Sequence, residues 1–69
     1  MEATSGILYA VQAEIRSKLM AIGATSREKA ATTQQAHFSM KEINWIDYIA
    51  GGMFAKIKKT KDRRFYVPL

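Results

Sequence analysis

A chain of 69 residues with no cysteine and a single histidine must hold its fold without a disulfide or a thiolate zinc site. Domains this short bury a small share of their surface and commonly depend on a staple, a metal or a partner. With His37 alone available as an imidazole ligand, neither a metal nor another cofactor is expected, and association with other chains is the default expectation. Hydrophobic residues make up 48% and charged residues 25%, a balance that excludes wholesale disorder. The longest uncharged runs, Ala3–Ala13 and Ala30–Met40, have eleven residues each, short of the ~20 that a membrane span needs. The opening Met-Glu-Ala-Thr-Ser-Gly lacks the basic region of a signal peptide, so a soluble, intracellular protein without a membrane role is expected.

Two amphipathic helices account for most of the apolar residues. Leu8, Val11, Ile15, Leu19 and Ile22 recur at spacings of three and four, which predicts a helix over about 5–22. Thr4 or Ser5 can cap its start, and Gly23 suits the left-handed position after its end. Ser39-Met40-Lys41-Glu42 matches a capping box, in which a serine and a glutamate each satisfy one orphan N–H. Ser39 and Glu42 are therefore the candidate cap of a second helix over about 40–59, with Phe38 stapled against Ile43. Its stripe is Ile43, Ile46, Ala50, Met53 and Ile57, with Trp45, Ile49 and Phe54 beside it, broader than one small helix can cover. Gly51-Gly52 lies inside that pattern, as a close approach or a kink. The matching stripes predict antiparallel packing of Val11, Ile15 and Leu19 against Ile43, Ile46 and Met53. The connector 23–38 has no strong hairpin signal and reads as a loop with some local order.

Charge divides the chain sharply. Residues 1–55 carry five basic and five acidic side chains. Residues 56–69 carry Lys56, Lys58, Lys59, Lys61, Arg63 and Arg64 against Asp62 alone, so the net charge of +5 lies entirely there. Such a stretch pairs with phosphates or with an acidic partner, and these six residues are the candidate DNA or acidic-partner contacts. The competing reading is a solvated, solubilising tail. No aromatic interrupts the basic run before Phe65, which argues against a stacking platform for single strands. Phe65-Tyr66-Val67-Pro68-Leu69 is read as a docking peptide for a neighbouring protein, since an apolar terminus after so many charges lacks an evident core of its own. Asp47 is read as surface charge beside Lys41 or Lys56. No nucleophile–base set, glycine-rich phosphate loop or metal-ligand spacing is present, and an enzyme is not expected.

A helix ending in Leu19-Met20, a small connector, a capped helix containing Tyr48-Ile49-Ala50, and a basic run closing in Arg63-Arg64-Phe65-Tyr66-Val67 together resemble the head-completion protein W family of lambda-like tailed phages. The resemblance covers most of the chain and rests on layout and on the short terminal motif. It implies a helix-dominated α+β fold, with two antiparallel helices joined by a short β-hairpin or loop and followed by an extended basic tail. Ala24–His37 lacks that family's glycine turn and alternating strands, so an all-α helical hairpin stays open. The corresponding organisation is a helical body over 1–59 and a basic, aromatic tail over 60–69. The implied function is structural: a head–tail connector that binds as a ring under the portal protein, helps retain packaged DNA and offers a platform to a tail-side connector protein. The implied location is the virion, after synthesis in the host cytoplasm. The alternative is a small dimeric nucleic-acid-binding regulator with a cationic tail; a third reading is an amphipathic segment on anionic membrane surfaces.

Overall fold

Two helices carry the body of the computed structural model, which describes residues 2–51 and 56–69. Helix α1 runs Glu2–Ala21 and helix α2 runs Met40–Gly51. A two-stranded antiparallel sheet of β1 (Lys58–Lys59) and β2 (Phe65–Tyr66) follows. The fold is a helix-dominated α+β arrangement.

Helix α1 begins three residues before the expected start, which places Thr4 and Ser5 inside the helix rather than at its cap. Its end follows the sequence closely. Gly23 takes φ 77°, its N–H donates to Met20 O at 3.1 Å, and Ala24 N–H donates to Leu19 O at 2.8 Å. This pair of bonds is a Schellman closure, and buried Ala24 meets the buried end of the helix at Leu19.

The connector is neither a hairpin nor a featureless loop. It makes one 3-10 turn at Arg27–Lys29, an extended step through Ala30 and Ala31, and a helical turn over 33–36. That last turn has a capping box of its own. Thr32 Oγ1 accepts from Gln35 N at 3.1 Å, and Gln35 Oε1 accepts from Thr32 N at 3.0 Å. His37, at φ 58°, ends the turn in the left-handed conformation, with Phe38 N–H donating to Thr33 O at 3.0 Å.

Helix α2 starts where the serine–glutamate signature put it. Ser39 N donates to Glu42 Oε1 at 2.7 Å, and Glu42 N donates to Ser39 Oγ at 3.3 Å. The same Glu42 oxygen accepts from Lys18 Nζ at 2.6 Å, and Lys18 also donates to His37 O at 3.1 Å. The cap of α2 is thereby tied to the last turns of α1, as antiparallel packing requires at that end. Burial pushes the Glu42 carboxyl up, but hydrogen bonds from Lys18 and the Ser39 N–H, together with the Lys18 charge, outweigh it and leave the group below its ordinary value.

Helix α2 does not continue to residue 59. It is assigned to Gly51, and Lys58–Lys59 are extended strand, so a continuous helix is excluded. Two adjacent glycines lower helix propensity by about 1 kcal/mol each, and the strand pairing beyond them settles the competition. Gly52, Met53 and Phe54 lie outside the described residues.

The core joins both helices to the C-terminal segment. Val11, Ile15 and Leu19 of α1, Ile46 and Ile49 of α2, and Ala24, Ala31, Ala36 and Phe38 of the connector are buried together with Ile57, Phe65 and Val67. Ile43 is half-buried against them, and Ile22, expected on the apolar face, is 49% exposed.

Candidate nucleic-acid interface

The basic run 56–64 forms one arm, the loop and the approach of a β-hairpin. Lys58 stands opposite Tyr66 and Lys59 opposite Phe65. The three-residue loop Lys61-Asp62-Arg63 closes with Arg63 N donating to Thr60 O at 3.1 Å and Thr60 N donating to Arg64 O at 2.8 Å. Arg63 takes φ 60°, the left-handed position that follows the turn in three-residue hairpin loops. Thr60 Oγ1 accepts from Arg64 N at 3.1 Å and donates to Asp62 Oδ1. The Thr60 hydroxyl and then the Arg64 guanidinium hold the Asp62 carboxyl below its ordinary range.

The expected docking peptide is a core strand instead. Phe65 is fully buried and Val67 is 1% exposed, so neither is available to another protein. Phe65 exchanges two backbone hydrogen bonds with Ala31, Phe65 N to Ala31 O at 2.7 Å and Ala31 N to Phe65 O at 2.9 Å. Val67 N donates to Ala24 O at 2.9 Å. The physical reason is the missing third segment: the connector supplies the extended edge that Phe-Tyr-Val pairs with, and Phe38 supplies a ring 6.5 Å from Phe65. Tyr66 is half-buried, whereas Pro68 and Leu69 remain exposed. The boundary expected at residue 60, between a body and a tail, falls inside the hairpin.

The six cations occupy different electrostatic settings. Asp47 on α2 accepts from Arg63 at 2.9 Å on Oδ2 and from Lys59 at 3.4 Å on Oδ1. Hydrogen bonding and charge from Arg63, followed by Lys59, hold the Asp47 carboxyl below its ordinary value, and Asp47 in return raises the Arg63 guanidinium. Arg63 also lies over the Phe65 ring, 5.9 Å from its centroid. Asp47 thus pairs with the hairpin, not with Lys41 or Lys56. Arg64 Nε donates to Asp62 at 2.8 Å. Lys56, Lys58 and Lys61 are exposed and make no ion pair among the described residues.

The sequence showed the six cations but not Asp47 as the partner of Lys59 and Arg63, nor Ala31 as the neighbour of Phe65. Neither has a local signal, because both contacts cross from one element to another. Among the described residues there is no cluster of metal-ligating side chains and no helix long and apolar enough to cross a membrane. Several large apolar side chains stay exposed on the helices and their ends: Tyr9, Met20, Ile22, Met40 and Tyr48. Comparison with protein-family models, curated proteins and solved structures finds no match to the chain.

Proposed function

We propose that this chain is a non-catalytic structural protein of the head–tail connector kind, which assembles with copies of itself and with a portal protein and presents its cationic hairpin to packaged DNA. One observation carries the reading. All of the net charge of +5 comes from residues 56–69, and that segment is a folded hairpin fixed to the helical body, not a loose tail. A rigid cationic projection can be placed against a polyanion by assembling the bodies behind it. The exposed Tyr9, Met20, Ile22, Met40 and Tyr48 favour self-association through the helices. The order of a long helix, a connector, a capped helix and a basic end supports the phage setting. The hairpin's position after α2, with no hairpin between the helices, departs from that family's layout.

The test has two arms. The genes beside the coding sequence should include a portal protein, and the purified chain should co-assemble with it into a ring that holds duplex DNA more tightly than the chain alone. Neighbouring genes without any capsid or portal protein would overturn the connector reading. Tight duplex binding by a free dimer would favour the regulatory alternative.

A further inference from the structure

The hairpin sorts its cations by face. Side chains alternate along a strand, so Lys58 takes one side of β1 and Lys59 the other, with Lys56 and Ile57 leading into the strand. Lys59 reaches Asp47, which identifies its side as the one facing the body. On β2 the buried Phe65 and Val67 lie on that inner side, and Tyr66, opposite Lys58, lies on the outer one. Arg63 is drawn inward as well, over the Phe65 ring and onto Asp47. We infer that duplex DNA is contacted by the outer side and tip of the hairpin, through Lys56, Lys58 and Lys61, whereas Lys59 and Arg63 hold the hairpin to Asp47 on α2. This inference rests on the DNA-facing role proposed above and specifies which residues serve it.

Two arguments favour the duplex backbone as the ligand. Lys56 and Lys58 are two residues apart, a spacing of at most about 6.8 Å, over which duplex DNA presents up to roughly four phosphate charges. No acidic side chain pairs with Lys56, Lys58 or Lys61 among the described residues, so their charge is free for phosphates. Asp47, in contrast, offsets one of the two inner cations and accepts one hydrogen bond from each.

The experiment is a fluorescence-anisotropy titration of the full chain into a labelled duplex of about 20 base pairs, at about 10 and 50 mM salt, where weak phosphate binding is measurable. Three contacts give a slope near −2.7 in log affinity against log salt, hence a loss of about 80-fold over that range; six would give about 6,000-fold. Lys58→Gln should reduce the loss to about 20-fold, Lys59→Gln should leave it unchanged, and Asp47→Asn, by freeing two cations, should raise it toward about 1,400-fold. Thermal melts of each variant confirm that the fold persists, and Lys56→Gln serves as a second outer variant. If Lys59→Gln and Lys58→Gln lower the slope equally, or Asp47→Asn leaves it unmoved, the division of the cations is wrong while DNA binding stands. If the wild-type chain binds no duplex at about 10 mM salt, the DNA-facing role itself falls.

Discussion

Replacing Phe65 with alanine separates a core strand from a docking peptide. The ring is fully buried, tilts against Phe38 at 6.5 Å and has the Arg63 guanidinium 5.9 Å from its centroid. Truncating a buried phenylalanine costs about 3–5 kcal/mol, through lost transfer energy and the cavity left behind. The backbone bonds to Ala31 survive the substitution, so the loss reports the side chain alone. At roughly 0.05–0.15 kcal/mol per residue, a chain of this length has about 3–10 kcal/mol of stability in total, so Phe65→Ala removes a large part of it. With an unfolding entropy near 2.1 cal/mol/K per residue, the midpoint should fall by about 20–35 °C. Circular dichroism melts read this directly, and Trp45 fluorescence in urea gives an independent midpoint. Leu69→Ala is the control: at 87% exposure it should change stability by less than about 0.5 kcal/mol. A loss below about 1 kcal/mol for Phe65→Ala would refute the core assignment and restore a tail free to dock.

Three further outcomes are expected. Ser39→Ala should cost about 0.5–2 kcal/mol in urea unfolding, since Glu42 N–H loses its acceptor at the start of α2; no change would mean that the cap does not matter. Ile46→Ala, at a fully buried site, should cost about 2–5 kcal/mol by the same measurement, and a loss below about 0.5 kcal/mol would remove α2 from the core. The native carboxyl of Glu42 is held below its ordinary value, so its contribution is complete above about pH 4.3 and is lost as pH falls through the lowered native value. Glu42→Gln should therefore lower stability at pH 7 and flatten its fall between about pH 5 and 2; Asp47 retains part of that fall, and an undiminished acid limb in the variant would contradict the assignment.

What could be read from the sequence was local. The α1 stripe, the Gly23 closure and the Ser39–Glu42 box each depend on residues within one or two turns, and apart from the exposed Ile22 each is found where the pattern put it. Thr32–Gln35 carries the same Ser/Thr-x-x-Glu/Gln signature as Ser39–Glu42, and the turn it starts was legible in principle. The hairpin was not. Its tip puts Arg63 where glycine or asparagine is the usual signal, and Thr60 and Asp62 secure that loop through side-chain bonds. Phe65 looked like a terminal patch because its partners, Ala31 and Phe38, belong to a segment that reads as a loop. For the candidate interface, composition supplied the cations, and only the strand register distributes them between an inner and an outer side.

Phe65-Tyr66-Val67 joins three residues of high β-propensity, and its position bears on how the protein stays dispersed. β2 lies between β1 and the connector, so both of its edges are occupied. The outward edge of the sheet is β1, a strand of two lysines, and charged edges of that kind repel the strand-to-strand addition that builds fibrils. Copies of this chain are therefore steered away from joining through β1. The same placement links solubility to stability: a substitution that loosens β2 exposes an adhesive strand along with its own partners. Destabilised variants should precipitate rather than circulate as unfolded monomers, with the lysine edge as the barrier that delays it.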